Sequence, residues 1–389
     1  MIYEGRCKKE DTKQLIEVLD EVFFSEDNKT AEHPIHFLEL LPKLYKDKYD
    51  PAYNNFIIAE DGVIKSAVGL YPFRMKVCGA ELKVGGIGNV AVTKDSRKKG
   101  YMVKTLNMCL DQMKADGTDV SILGGDRQRY GYFGYEPFGL NYNFSISRRS
   151  MSHTKGADYK TPFRAVKLTP ADTDDLAKIK ALGERNGIYA ERPMDSIFDI
   201  LCSWRNEPYS VYLNDEFKGY FSKEKYGGGV SEVFAVDVND LQDIFLCALD
   251  VTGSDGLDID AAPYDTQVCD YMAKVCRGSD FNHSERVNVL NYRHFIEVML
   301  SAKASRLNLG SGSLVLFIHG CRQDEKIRIT VDGKKVTVED TQDSPDFEFS
   351  HLDAMRFIGS IYSRHRDEVP AFAQNWFPLE FFCRGLDNV

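Results

Sequence analysis

An apolar, glycine-rich strand that leads through a basic turn into a long amphipathic helix occupies residues 85–115. The turn has the sequence RKKG (residues 97–100), and apolar residues then recur at helical spacing over 102–113. The first N–H groups of a helix have no partner within it, and the helix dipole favours an anion at that end. Three cations there, without an anion, would each be unfavourable by about 0.3–1 kcal/mol. The turn therefore indicates a bound anionic ligand.

The strand before the turn adds a second requirement on the ligand. Its main chain at Val90, Ala91 and Val92 can pair with a molecule that lies along it like an added strand. Gly100 has no side chain, so the backbone there can approach a phosphate closely. A cofactor with an amide-bearing arm and a diphosphate meets both requirements, and coenzyme A is such a molecule. The alternative interpretation is a solvated basic first turn with no ligand.

A second motif, GGDRQRYGYFGYE at residues 124–136, begins with the last two residues of a predicted buried strand at 120–125. A tyrosine hydroxyl has a pKa of about 10, so it is protonated at neutral pH and can donate a proton to a leaving thiolate. The same residues are also compatible with a packed aromatic turn that has no catalytic role.

Composition limits the function class. No run of apolar residues approaches the 18 needed to span a bilayer, and the N-terminus lacks the apolar segment of a secretory signal. The nine cysteines form no CxxC pair, which argues against a disulfide framework or zinc ribbon. These features predict a cytoplasmic protein without a membrane partner, and no motif predicts a bound metal.

Residues 1–150 have a net charge of +1 and the remaining residues one of −11, so neither part of the chain is strongly basic. A nucleic-acid-binding protein normally carries a basic domain, so no nucleic-acid partner is predicted. An acidic surface can attract a cationic substrate, although many acidic surfaces serve only solubility.

The order of predicted elements indicates an α+β fold with α/β layers and mixed, mainly antiparallel sheets. Helices are predicted at 11–24, within 34–47 and at about 97–115, with a strand meander between the second and third. A fainter copy of this order, without the basic turn, begins near residue 166. A helix, three strands and a final helix follow from about 288. The predicted domains are 1–147, 148–286 and 287–389.

Together, these segments resemble the GNAT acetyltransferases. The sequence RKKGYM at 97–102 is similar to their pyrophosphate loop, R/Q-x-x-G-x-G/A, and departs from it at Met102. The looser version, R-x-x-G followed by two hydrophobic residues, occurs in the enhanced intracellular survival (Eis) branch. The chain also resembles that branch in the order of its domains. A GNAT domain is followed by a degenerate GNAT-like domain and then by a domain resembling sterol carrier protein 2 (SCP2), around DFEFSHLDAMRFIGSIY. A short tail, FFCRGLDNV, ends the chain.

The resemblance implies acetyl-CoA as co-substrate and a set of residues that bind it. These are Val90, Ala91, Val92, Arg97, Lys98, Lys99, Gly100, Tyr101, Met102, Val103, Gly125 and Asp126. It also implies Tyr130 as the general acid and the α-carboxylate of Val389 as the base. The competing base is an internal carboxylate in the strand meander, such as Glu60 or Glu81.

The resemblance further implies direct acetyl transfer in a ternary complex to a primary amine of a small cationic acceptor, such as an aminoglycoside or a polyamine. It predicts a homo-oligomer, since the branch forms hexamers. Two alternatives remain open: a protein-lysine acetyltransferase, and a non-catalytic sensor that binds acyl-CoA or lipid. Thiol release from acetyl-CoA separates a transferase from a sensor.

Overall fold

The structure is a computed structural model that describes all 389 residues, and it is a mixed α/β protein with four sheets. The predicted fold class of helices with mixed, mainly antiparallel sheets is confirmed. The strands are β1 (Ile2–Arg6), β2 (Asn55–Glu60), β3 (Val63–Val77), β4 (Ala80–Val92), β5 (Val120–Leu123), β6 (Glu136–Phe138), β7 (Asn141–Ser147), β8 (Arg164–Lys167), β9 (Ile188–Ala190), β10 (Asn206–Leu213), β11 (Glu216–Glu224), β12 (Val230–Ala235), β13 (Gly256–Ala261), β14 (Gly278–Asn282), β15 (Glu285–Val289), β16 (Gly312–His319), β17 (Asp324–Asp332), β18 (Lys335–Asp340) and β19 (Phe347–Ser350). The helices are α1 (Thr12–Phe24), α2 (Phe37–Leu40), α3 (Pro42–Tyr45), α4 (Tyr101–Ala115), α5 (Arg127–Tyr130), α6 (Arg148–Lys155), α7 (Thr173–Glu184), α8 (Ile197–Leu201), α9 (Leu241–Thr252), α10 (Thr266–Val275), α11 (Tyr292–Arg306) and α12 (His351–Gly359).

The first unit consists of α1–α5 and a sheet in the order β1-β2-β3-β4-β5-β15-β6. Only the β4–β5 pair of this sheet is parallel, and β9 pairs with the far end of β3. Side chains alternate across β3, so Ala67 and Tyr71 pack towards α1 while Val68 and Leu70 pack towards α4. The two helices therefore cover opposite faces of the sheet.

The second unit contains α6–α10, a four-stranded sheet in the order β12-β11-β10-β8, and a three-stranded sheet in the order β13-β7-β14. The third unit contains α11, α12 and a sheet in the order β18-β17-β16-β19. The core of the third unit continues into that of the first through residues such as Val84, Val120 and Phe138. No helix in the structure combines the length and the apolar character that a bilayer crossing requires.

Two strands cross the predicted domain boundaries. β15, at the predicted boundary 286/287, is inserted between β5 and β6 of the first sheet. β7, which the prediction places in 1–147, is instead the central strand of the β13-β7-β14 sheet. The predicted boundaries are therefore wrong for these two strands. Local patterns show that a segment is a strand, but they do not show which distant strand it pairs with.

Two predicted helices differ from the observed ones. The helix predicted within 34–47 is two short helices, α2 and α3, because Leu41 leaves the helical conformation and Pro42 has no N–H to continue it. The helix predicted at about 97–115 begins only at Tyr101, since Gly100 before it adopts a left-handed conformation. The four residues of the basic turn, 97–100, therefore precede α4 and are not part of it.

Candidate active site

The basic turn at 97–100 is an exposed, tightly curved link between β4 and α4. Lys98 and Gly100 both have positive φ angles, of 68° and 79°, so the backbone adopts the left-handed conformation twice within four residues. A Cβ built on Gly100 meets no atom within 4 Å, which leaves the start of α4 open on that side. The unpaired N–H groups of the first helical turn thus face a space that an anion can enter.

The edge of β4 is uncovered where it approaches this turn. Pairing with β5 stops at Ile87 and Leu123, whereas β4 continues to Val92. On its other side β4 stays paired with β3 as far as Val92 and Ser66. The main chain at residues 88–92 therefore has one free edge, and it includes the predicted pantetheine-binding residues Val90, Ala91 and Val92.

A β-bulge shapes this free segment. Asn89 and Val90 together face the single residue Val68, and Asn89 has a φ of 40°. The hydroxyls of Tyr45 and Tyr71 each lie 2.8 Å from the Asn89 side-chain oxygen and 2.9 Å from one another. The Asn89 amide donates to Asn55 Oδ1 at 2.7 Å. This polar network holds the bulge in an otherwise uncommon conformation.

Tyr130 lies on the α4 side of the sheet and is only 5% exposed. Its ring packs on the backbone of Gly125, where an added Cβ would come within 2.5 Å of the ring. Gly125 also has a φ of 134°, so a side chain would be doubly unfavourable there. Burial raises the pKa of the Tyr130 hydroxyl, and nearby Arg129 opposes the rise. The hydroxyl is therefore protonated at neutral pH, as a proton donor must be.

The C-terminal residue lies against the opposite face of β4. The Val389 side chain packs on Gly86, and a Cβ built on Gly88 would lie 3.4 Å from the Val389 carboxyl carbon. These glycines leave the room that the terminus occupies. The terminal carboxylate and Tyr130 thus lie on the two sides of the sheet, and the free segment of β4 runs between them.

The tail is anchored by buried polar contacts. Lys43 Nζ donates to the main-chain carbonyls of Leu386 and Asn388 at 2.6 and 2.5 Å. Arg192 makes a two-pronged ion pair with Asp387 at 2.7 and 3.0 Å and contacts Glu232 at 3.0 and 3.1 Å. Residues of the first and second units therefore fix the last residues of the chain.

A cleft of about 480 Å³ opens beside this terminus. Its walls come from the first unit, the second unit and the tail, and its volume lies in the ordinary range for small-molecule sites. Tyr71, Phe73 and Ile200 make part of the wall apolar, while Glu191 and Asp195 are exposed at the rim. The terminal carboxylate of Val389 thus shares a cleft with three further carboxylates, Glu191, Asp195 and Asp387, and with two cations, Lys43 and Arg74.

The competing bases lie in other places. Glu60 accepts hydrogen bonds from Tyr101 and Lys99 beside the basic turn, and these lower its pKa. Glu81 pairs with Lys76 and Arg74 near the β3–β4 hairpin, and the Lys76 contact lowers its pKa most. Both are engaged with cations and neither lines the cleft that contains Val389.

Comparison with known proteins identifies the first unit. The acetyltransferase (GNAT) domain family matches residues 6–138. These residues are a GNAT acetyltransferase domain. The match covers β4, the basic turn, α4 and the turn that carries Tyr130, so the predicted GNAT domain is confirmed. An uncharacterised N-acetyltransferase from Streptomyces coelicolor is 29% identical over 143 residues, which are 34% of this chain and 34% of that protein.

The fold of the whole chain also has solved counterparts. A GCN5-related N-acetyltransferase from Kribbella flavida matches with a TM-score of 0.69 at 12% identity, over 100% of this chain and 98% of that one. Eis1 from Mycobacterium abscessus matches with a TM-score of 0.58 at 15% identity, over 91% of this chain and 88% of that one. At these identities the likeness concerns the fold. The resemblance of residues 287–389 to SCP2 stays a prediction.

Sequence reasoning missed the residues that support the site of the GNAT domain. The residues of the Asn89 network and Arg192 belong to no recognisable sequence motif. Lys43 lies more than 340 residues before the carbonyls that it contacts, so its sequence position does not indicate the contact. Asparagine tolerates a positive φ better than most residues, and Asn89 has one. The identity of this residue is the single local feature of the sequence that could have indicated the bulge.

Gly100→Asp is expected to abolish measurable binding of coenzyme A to the GNAT domain. The change places a negative charge and a side chain at the open start of α4, and it strains a backbone with a φ of 79°. Isothermal titration calorimetry measures the effect. Gly79→Asp is the matched control, because Gly79 has a φ of 92°, an added Cβ there also meets no atom within 4 Å, and the residue lies in the β3–β4 hairpin at the opposite end of β4. Unchanged affinity in Gly100→Asp would place the diphosphate elsewhere.

Glu285→Gln is expected to flatten the pH dependence of stability. Burial raises the pKa of Glu285 from 4.5 to about 7, and its carboxylate accepts a hydrogen bond from Asn388 of the tail. The folded state therefore retains a proton that the unfolded state has lost, so stability should fall as the pH rises from about 5 to about 7. Glutamine keeps an acceptor for Asn388 and does not titrate. Parallel melting-temperature profiles for both proteins between pH 5 and pH 8 would contradict this.

Proposed function

We propose that this chain is an acetyl-CoA-dependent N-acetyltransferase that transfers the acetyl group directly to a primary amine of a small cationic acceptor. The observation that carries the proposal is the position of the C-terminal carboxyl group against β4 of a GNAT domain, beside a cleft. The free edge of β4, the open start of α4 and Tyr130 belong to the same domain.

The residues of the site suit acetyl-CoA. The main chain of Val90 to Val92 would pair with the amide-bearing arm, and the exposed backbone from Lys98 to Met102 would hold the diphosphate, with Arg97 adding positive charge. Val103 lies on the exposed side of α4, and Gly125 and Asp126 follow β5 across the opening. When bound, acetyl-CoA supplies the acetyl group as a thioester.

The acid and the base are assigned from their surroundings. The Val389 carboxylate takes a proton from the amine, directly or through water, as the new N–C bond forms. Tyr130 donates its proton to the thiolate when the C–S bond breaks, and its raised pKa keeps that proton available. A main-chain N–H in the free segment near Val92 donates to the carbonyl oxygen as negative charge develops there.

The acceptor is inferred from the cleft. Glu191, Asp195 and the terminal carboxylate attract a cation, and the aromatic and aliphatic walls suit an acceptor that also has apolar surface. The cations of the same cleft have partners of their own, because Lys43 binds tail carbonyls and Arg74 pairs with Glu81. An aminoglycoside or a polyamine meets the charge requirement, and a lysine side chain of a protein remains the alternative. We further propose a homo-oligomer, on the resemblance to the Eis branch alone.

Thiol release from acetyl-CoA tests the proposal. We expect release that depends on both acetyl-CoA and an amine, measured with a thiol reagent over a panel of polyamines, aminoglycosides and lysine peptides. Glu191→Gln combined with Asp195→Asn should raise the KM for polyamines and leave the KM for acetyl-CoA unchanged. A protein that binds acetyl-CoA yet releases no thiol with any amine would be a sensor, and the proposal would be wrong.

A further inference from the structure

The turn that carries Tyr130 is held from outside the GNAT domain. Nε2 of His351, the first residue of α12 in the third unit, lies 2.9 Å from the Gly134 carbonyl oxygen. Arg356, also on α12, contacts the Glu136 carboxylate at 2.7 Å. We propose that the third unit positions Tyr130 for proton transfer and that His351 is the positioning residue. This inference rests on the proposed function, in which Tyr130 is the acid.

The contacts of His351 fix its tautomer. Nδ1 lies 2.9 Å from the Tyr292 hydroxyl and 3.1 Å from the Cys321 main-chain N–H, which donates to it. Nδ1 is therefore the acceptor, so the ring proton is on Nε2 and is donated to Gly134. Burial lowers the pKa of His351 to about 4, so this arrangement persists at neutral pH.

The residue that accepts this hydrogen bond, Gly134, has no room for a side chain. Gly134 has a φ of 91°, and a Cβ built there would lie 2.9 Å from both His351 Nε2 and Asn288 Nδ2. Asn288, on β15, donates to the Phe133 carbonyl at 2.8 Å. Two consecutive carbonyls of the turn are thus held by residues more than 150 positions away.

The held segment is directly connected to Tyr130. The Tyr135 N–H donates to the Tyr130 carbonyl at 3.2 Å, so Gly134 closes a short loop that begins at the proposed acid. A second connection runs through Glu136, which is 1% exposed and binds both Arg356 and Arg127. Arg127 is the first residue of α5, and Tyr130 is its last.

The positioning role predicts how substitutions at His351 behave. His351→Leu removes the donor to Gly134 and should lower kcat by about tenfold or more. The loss should not exceed the 10²–10⁴-fold that a positioned acid supplies in total. The KM for acetyl-CoA should change little, because the basic turn is untouched. His351→Gln, whose amide N–H can take the place of Nε2–H, should restore most of the rate. Arg356→Met should act in the same direction with a smaller effect.

A double-mutant cycle and hydrogen exchange make the test specific. In a Tyr130→Phe background, His351→Leu should cause no further loss of kcat, because the acid that it positions is absent. Amide exchange in residues 126–136 should be faster in His351→Leu than in the parent protein. Arg364→Met is the matched control, since Arg364 pairs with Asp353 and does not contact the turn.

The outcomes separate this inference from the proposed function. Equal losses of kcat in both backgrounds, or unchanged exchange in residues 126–136, would overturn the positioning role even in an active enzyme. Absence of thiol release by the parent protein would overturn the proposed function. The exchange measurement needs no turnover, so in that case it alone decides whether His351 holds the turn.

Discussion

Deletion of residues 387–389 is expected to lower the rate of acetyl transfer by about 10²–10⁴-fold, the contribution of a positioned acid or base. The deletion removes a carboxyl group whose carbon would be 3.4 Å from a Cβ at Gly88. Binding of acetyl-CoA should be nearly unchanged, because the basic turn and the α4 face of the sheet remain intact. Steady-state thiol release and calorimetry measure the two effects separately.

Three variants separate the carboxylate from the other contacts of the tail. Val389→Ala keeps the terminal carboxylate and should cost far less than the deletion. A C-terminal tag keeps Arg192–Asp387 but displaces the carboxylate, so it should be nearly as harmful as the deletion. Asp387→Asn breaks the ion pair and leaves the chain length unchanged. A tagged protein as active as the untagged one would remove the tail from the mechanism.

Arg192→Met is expected to destabilise the protein by about 3–5 kcal/mol, the usual cost of breaking a buried ion pair by removing one partner. The Arg192, Glu232 and Asp387 side chains are at most 6% exposed, and the substitution leaves two buried carboxylates without their main cation. Turnover should also fall, because Asp387 is two residues from the proposed base.

The effect of Arg192→Met is measured as the loss of melting temperature together with the rate of thiol release. Arg164→Met is the control, because the Arg164–Asp215 pair is exposed and such pairs contribute about 0–1 kcal/mol. Equal melting temperatures for Arg192→Met and the parent would show that the pair does not hold the tail in place.

The local parts of the candidate site were predictable from sequence. The strand, the basic turn and the start of a helix at residues 85–102 are consecutive, so their order alone predicts an open helix N-terminus beside a strand. Val389 and Tyr130 were predicted from the resemblance to the Eis branch. The structure places them on opposite faces of the same sheet, and their catalytic roles stay predictions.

The long-range parts could not be predicted. The positions of β7 and β15 depend on pairing between strands that are distant in the sequence, such as Val289 with Val120, 169 residues apart. His351 and Gly134 are 217 positions apart, and a buried histidine gives no sequence pattern that names its partner. Spacing along the chain reports local conformation, whereas these contacts depend on tertiary packing.

The role of the C-terminal carboxylate as the base is tested most directly by the activity of a protein whose Val389 carboxylate is converted to an amide by semisynthesis. Chain length, side chain and anchoring contacts all stay the same, and only the proposed base is lost. We expect a fall in kcat of about 10²–10⁴-fold with the affinity for acetyl-CoA preserved. An amidated protein whose kcat is within about threefold of the native value would show that the Val389 carboxylate is not the base.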